Sequence, residues 1–371
     1  MAIDSVNIRA QHMARHELVD QDKPVTEFTQ PAIFEENELQ EEIAAAMGDL
    51  AELISEFGNT GRGRGNGKGS SIDDKNFIDV LLEESAEKKV SEIVSVLAKS
   101  NMGSNALLQY VRSLFPDDSD LMLALYELRR QRKLSQAQKK EIEKAISEHE
   151  KFSDMPKIQS GMNIGQVAKK FSKGDSKLSP MALRSCYLDF LEMDHAASCV
   201  YRDWIERFGA DNRNRLLAFM LRALVCDMRS HICGFNSDEF GPLSAKLSDV
   251  NTLTTFDEKL VSSKNKHQYL TTRGCKDEDL LHLLFSGLLE CHNFEKRLID
   301  FNKKYLLNLR IKELVIFLQN IKSIYTIVPD HFYANDNDKD ILLQKIINIL
   351  SGLFKTEKIY DAQSFYADEK R

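Results

Sequence analysis

The sequence predicts an all-α protein, an elongated tandem of three helical bundles preceded by a disordered N-terminal segment. Three observations carry this. After residue 71, apolar residues recur at steps of three and four, and no stretch alternates as a strand would. Only 7 prolines stand in 371 residues, so few positions lack the N–H that a continuous helix needs. The periodic stretches are separated by short Asp-, Ser- and Gly-containing breaks that read as helix starts and stops.

The composition is that of a globular protein, 42% hydrophobic and 29% charged, and the length suits two or three domains. The net charge of −7 belongs to the start of the chain: residues 1–60 hold 13 acids against Arg9, Arg15 and Lys23. Arg62, Arg64 and Lys68 follow, and the remainder is neutral. Without a basic excess, nucleic acid is not expected as a partner. The six cysteines (Cys186, Cys199, Cys226, Cys233, Cys275, Cys291) form no CxxC pair and read as free thiols of a reducing compartment. The first 30 residues lack the apolar core of a secretory signal, and no apolar run reaches the ~20 residues of a membrane span.

Residues 1–30 are polar and unpatterned, and disorder is expected there. Residues 31–60 contain an amphipathic helix. Leu39, Ile43, Met47, Leu50, Ile54 and Phe57 form a narrow seam at coiled-coil-like spacing, and Glu41, Glu42, Asp49, Glu52 and Glu56 lie opposite. Such a seam needs cover. It either folds back on the body or docks on a separate protein, and the second is the favoured expectation. Residues 61–71 form a Gly-rich flexible linker. They do not make a phosphate loop, because Gly67-Lys68 is followed by Gly69 and the position five before Gly67 is Arg62.

The first bundle is expected over 72–160. Asp73-Asp74 can cap a helix carrying Phe77, Val80, Leu81, Val90, Ile93, Val94 and Leu97. The most constrained stretch is Leu107–Leu134. Leu107, Leu108, Val111, Leu114 and Phe115 end at Pro116, and Asp117, Asp118, Ser119 and Asp120 start a helix with Leu121, Met122, Leu125 and Leu128 as one stripe. Arg129, Arg130, Arg132 and Lys133 close it, where cations suit the negative helix end. They are also a candidate contact for an acidic partner. A charged helix, Gln138–Phe152, follows.

The second bundle, 161–275, is entered by Ser179-Pro180 and includes Ala196–Phe208, stopped by Gly209, and the apolar run Arg215–Ile232. Residues 234–276 are rich in Ser, Thr and Lys and read as a looser transition. The third bundle, 276–371, has helices after Asp277, over Leu306–Val328 and after Asp338, with a charged tail from Lys355.

Candidate chemistry is weak. Asp336, Asp338 and Asp340 imitate a calcium loop, but its sixth and twelfth positions are Ile341 and Ile347, so capping is the reading. Cys226, His231 and Cys233 lack a second ligand pair for zinc. His282 and His292 lack HExxH spacing, and no motif beside His195 marks a nucleophile. Trp204, the single tryptophan, reads as core. No cofactor, metal or catalytic residue is assigned.

Three segments carry a resemblance: RSLFPDDSDLMLALYELRR (Arg112–Arg130), YRDWIERFGADNRNRLLAFMLRALVCDM (Tyr201–Met228) and VPDHFY (Val328–Tyr333). Across most of residues 72–371 the chain resembles the type III secretion gatekeepers, the HrpJ-domain family that includes the YopN–TyeA, InvE, MxiC and SepL proteins, and looks nearest to InvE. The Gly-rich linker is unusual for that family, and no tryptophan follows Tyr333. The resemblance implies an uncleaved export signal within residues 1–30. It implies a secretion chaperone bound through 33–57, and three bundles of which the last is TyeA-like. Residues 72–371 would bind translocator–chaperone complexes and components of the secretion apparatus at its cytoplasmic face. The expected role is to hold back effectors and promote translocator export until host contact, as a monomer and without catalysis. A general helical scaffold unrelated to secretion is the alternative.

Overall fold

The computed structural model describes residues 36–59, 77–83, 85–173, 177–233 and 240–368. The export segment, the linker and the Asp73-Asp74 cap lie outside the described residues. Among the described residues there is no strand. The helices are α1 (Glu36–Asn59), α2 (Phe77–Val80), α3 (Ala86–Lys99), α4 (Ser104–Leu114), α5 (Asp118–Arg130), α6 (Gln136–Phe152), α7 (Met155–Asn163), α8 (Gly165–Phe171) and α9 (Pro180–Glu192). They continue with α10 (Ala197–Phe208), α11 (Arg213–Cys233), α12 (Phe240–Lys266), α13 (Gln268–Thr272), α14 (Asp277–Leu289), α15 (Phe294–Phe301), α16 (Ile311–Ile327) and α17 (Asp338–Asp368).

The expected start signals work as read. The Asp117 carboxylate accepts from the N–H groups of Ser119 (2.9 Å) and Asp120 (3.1 Å) and opens α5 after the Pro116 corner. The charged helix expected from Gln138 starts two residues earlier, at Gln136, because Ser135 and Gln138 close a reciprocal capping box on α6. Ser179 caps α9, whose first residue is Pro180. Gly209 ends α10 at φ +88°, where a side chain would be strained.

Four other local expectations change. The helix expected from Phe77 to Leu97 breaks after Val80, because the N–H groups of Leu82 (3.1 Å) and Glu83 (3.0 Å) turn to the Asp120 carboxylate instead of continuing the helix. Residues 240–266 are not loose. They form the 27-residue helix α12, whose stripe Leu243, Leu247, Val250, Leu253, Phe256 and Leu260 is buried among Ser, Thr and Lys. The helix expected over Leu306–Val328 starts only at Ile311, after a turn in which Asn308 takes φ +66°. The charged tail from Lys355 continues α17 to Asp368.

α5 has no single buried stripe. Leu123 and Ala124 are buried along with Leu121, Met122, Leu125 and Leu128, because the helix is packed between α2, α3, α4, α6 and α7. Around it lies one apolar cluster drawn from residues 77–162. A second, continuous cluster is drawn mainly from residues 164–350, and both Leu82 and Ala46 of α1 insert into it.

Polar anchors join the two clusters. Arg184 on α9 is 1% exposed, and its guanidinium reaches Asp120 at 2.8 Å and Asp117 at 2.8 Å. Asp120 is fully buried and accepts from Arg184 and from the Leu82 and Glu83 amides, so the charge is met on several sides. Asp227 on α11, also buried, accepts from Tyr187 of α9 and Asn163 of α7, each at 2.9 Å. Close packing supports the joint. A Cβ at Gly161 would lie 2.1 Å from Ser119 Oγ, and one at Gly165 would lie 2.7 Å from the Val80 carbonyl oxygen.

The resembling motifs are packing motifs. Tyr201 and Trp204 are buried, and the Tyr201 hydroxyl donates to Asp257 (3.0 Å), which also receives Arg213 Nε (2.7 Å). In VPDHFY, Val328, Phe332 and Tyr333 are buried. Tyr333 donates to the Tyr325 carbonyl (3.0 Å), and Ser198 of α10 donates to that of Phe332.

Replacing Asp120 by Ala leaves the buried Arg184 with Asp117 as its one carboxylate and two amides without acceptors, so unfolding should become easier by about 3 kcal/mol, read from denaturant melts. Burial lowers the pKa of His149 and of His267, so both favour the neutral form when folded. The unfolded chain then binds more protons below the usual histidine value of about 6.5, and stability falls as pH drops through it. Asp257, pushed up by burial, acts in the opposite direction. The denaturant midpoint should therefore be lower at pH 5.5 than at 7.5, and the combined His149→Gln and His267→Gln variant should shrink the difference.

Candidate partner-binding surface

The sequence marks two groups for partner contact, the α1 seam and the arginines after α5. The structure places them on different elements. Arg129 lies over the Tyr126 ring (5.2 Å) and Arg130 over the Phe77 ring (5.1 Å), both in the last turn of α5, while Arg132 is exposed in the turn beyond. Their flat guanidiniums cover aromatic faces and keep outer edges in solvent. That placement serves the helix end and leaves the group accessible.

α1 packs against α11. Leu39 and Ile43 are half-buried against the main core, Ala46 is fully buried, and Met47 is 48% exposed. The side chains of Leu50, Ile54 and Phe57 lie outside the described residues. At 100° per residue, the buried face centres near Ala46, roughly 50° round the helix from the centre of the expected seam. One edge of the seam therefore meets the body, and the Met47 edge stays open.

The reason for the rotation is charge. Asp49 pairs with Arg222 and, at 3.2 Å, with Arg229, which also reaches Glu52 at 2.8 Å. Glu42 pairs with Lys170 of α8. Part of the acidic face that the sequence suggested would point away is thus turned to the body. The hydrophobic period alone could not show this, because the cations lie more than 100 residues away in the chain. Each partly exposed pair contributes at most about 1 kcal/mol, and each half-buried aliphatic roughly 1 kcal/mol, so each described contact of α1 is individually modest.

Other polar groups are structural. Arg213 bridges Asp257 and Asp277 (2.6 Å), and Lys264 also pairs with Asp277. Burial would raise the Asp277 pKa, but the hydrogen bond from Lys264 and the charge of Arg213 lower it overall. Burial pushes the Cys186 thiol up to about 12, which keeps it unreactive. Cys226 donates to the Asn163 carbonyl (3.4 Å), and the side chains of His231 and Cys233 lie outside the described residues. Asp338, at the first position of α17, accepts from Cys291 (3.1 Å) and Asn335 (2.9 Å). Among the described residues no three His, Cys, Asp or Glu side chains gather as a metal site, and no helix is long and apolar enough to cross a membrane. A cleft beside Gly209 is lined by charges of both signs, including Arg202, Arg207, Glu206 and Glu278.

Residues 43–208, from the middle of α1 to the end of α10, match the family model of the HrpJ-like domain. Over that stretch, a little under half of its length, the chain is similar to the HrpJ-like domain family. The chain is 23% identical over 312 residues to Protein MxiC of Shigella flexneri, across 83% of this chain and 85% of that one. The solved structure of methylated Shigella flexneri MxiC shares its fold at a TM-score of 0.63 and 22% identity, covering 76% of this chain and 99% of that one. Chlamydia pneumoniae CopN matches at a TM-score of 0.50 and 13% identity, over 76% and 98% of the two chains. Because the match begins at Ile43, the part of α1 from Ile43 onward falls inside it, whereas the sequence motifs carry the resemblance only from about residue 72.

Filling the tight contact at Ala46 tests how α1 is held. Ala46→Trp should cost about 1–3 kcal/mol of docking. Amide exchange over 36–59 should then rise about tenfold or more, while α5 and α11 stay protected.

Proposed function

We propose that this chain orders type III export by binding partners in turn, holding back effectors and promoting translocator release until host contact. The observation that carries the reading is a match to the HrpJ-like domain in which each described contact of the first helix is individually modest and the Met47 edge of its seam stays open. In this reading residues 33–57 are the chaperone-binding segment, with Leu39, Ile43, Met47, Leu50, Ile54 and Phe57 as its apolar contacts. Residues 1–30 are the export signal, read without cleavage. The body is divided at about 160 and 275, and its last unit is TyeA-like. Residues 72–371 receive translocator–chaperone complexes and components of the apparatus at its cytoplasmic face. Arg129, Arg130 and Arg132 form one accessible basic contact in that body.

The physical support is a match between energetics and role. A protein that exchanges partners needs surfaces that hold and let go, and α1 has that character, while the buried joints at Arg184 and Asp227 keep the body fixed. The reading is one of binding and not of catalysis, and a monomer is its working state.

A clean deletion strain tests it. Effectors should appear in the medium early, and translocators should fall. An unchanged profile would move the chain to the general-scaffold reading. Within the intact protein, Leu39→Asp with Ile43→Asp should abolish capture of the cognate chaperone, measured by co-purification.

A further inference from the structure

The face of α11 and α8 beneath α1 has a chemistry of its own. Arg222 and Arg229 stand seven apart on α11, two turns along one side, and Lys170 of α8 adds a third cation. Opposite them α1 presents Glu42, Asp49 and Glu52. Between the carboxylates it places Ala46, small enough for the two helices to approach closely and fully buried there. Leu39 and Ile43 complete the contact. The body beyond the linker has no net charge, so the attraction is local to this face.

We propose that the α8–α11 face is a receptor for an acidic amphipathic helix, that α1 is its resident occupant, and that removal of α1 opens it to an equivalent helix of another protein. The matching pattern is three carboxylates at relative positions 0, 7 and 10 with a small residue at position 4. The chain permits the exchange. Residues 60–76 separate α1 from α2, and that length of polypeptide spans up to roughly 60 Å when extended. The removal step rests on the chaperone reading given above. Leu39 and Ile43 contact the body here and are the residues that reading assigns to the chaperone, so one helix cannot serve both at once.

The test uses the full chain and a dye-labelled peptide of residues 36–59, with binding read by anisotropy. The wild-type chain should bind weakly, because its own α1 occupies the face. A chain carrying Asp49→Lys and Glu52→Lys should bind the native peptide about tenfold more tightly. A chain carrying only Arg222→Glu and Arg229→Glu, whose own acidic α1 no longer suits the face, should not bind the native peptide but should bind a peptide with Asp49→Lys and Glu52→Lys. The restoration also shows that the reversed chain is folded. Equal binding by the wild-type and Asp49→Lys/Glu52→Lys chains, or binding indifferent to the arginine reversals, would overturn the receptor. A wild-type dimer dispersed by the same reversals would overturn residence in cis and give the face to α1 of a second copy. The removal step has its own readout, a dye pair on α1 and α11 that should separate when the cognate chaperone is added. A chaperone that binds without separating the dyes overturns that step alone. A chaperone that does not bind overturns the chaperone reading, while the peptide arm still decides the receptor.

Discussion

The buried pair of Asp120 and Arg184 is the constraint on which much of the body depends. A carboxylate with no exposed surface is stable only if its charge is met, and Asp120 takes two backbone amides and a guanidinium to meet it. Those amides belong to Leu82 and Glu83, so the same carboxylate breaks the helix after Val80 and sets where α3 begins. The guanidinium comes from α9 and ties one apolar cluster to the other. Gly161 and Gly165 then allow the close approach that the pair requires, since a side chain at either would strike Ser119 or Val80. One charge, placed at the start of α5, therefore fixes a helix end, a helix start and an interface.

This explains what was legible in the sequence. Starts that depend on near neighbours were readable at Asp117 and Ser179, because each bonds to amides within three residues of itself. Apolar stripes were readable where nothing diluted them, as in α4 and α11. Asp120 was read as one more capping residue, because its partner lies 64 positions away and no local pattern points to Arg184. α12 was missed for a different reason: its stripe is regular, but the residues between are Ser, Thr and Lys, which suggested a loop by composition. The turn before α16 was missed because Asn308 alone supplies the left-handed position, inside an apolar run that looks continuous.

The candidate surface was legible in part. The helix and its two faces were read correctly as an amphipathic element, but the rotation of its contact face was not, since Arg222, Arg229 and Lys170 attract carboxylates that the periodicity assigned to solvent. The motifs that carried the family resemblance proved to be interior. Tyr201, Trp204, Phe332 and Tyr333 hold helices together and touch no open surface. Their place inside explains how a resemblance can point to a fold and leave partner contacts unspecified: these residues build the scaffold and are not on its surface.

The contrast between the two kinds of joint bears on function. The joints at Asp120 and Asp227 are buried, so parting them would strand charge or polar groups in the interior, and they are unsuited to repeated opening. The joint at α1 is made of half-exposed ion pairs and a thin apolar edge, whose polar groups return to water at little cost when it opens. Salt screening weakens the second kind and scarcely touches the first. A body with rigid interior joints and one helix seated by individually modest contacts confines exchange to a single place, so a partner that captures α1 can alter the exposed surface without disturbing the packing around α5.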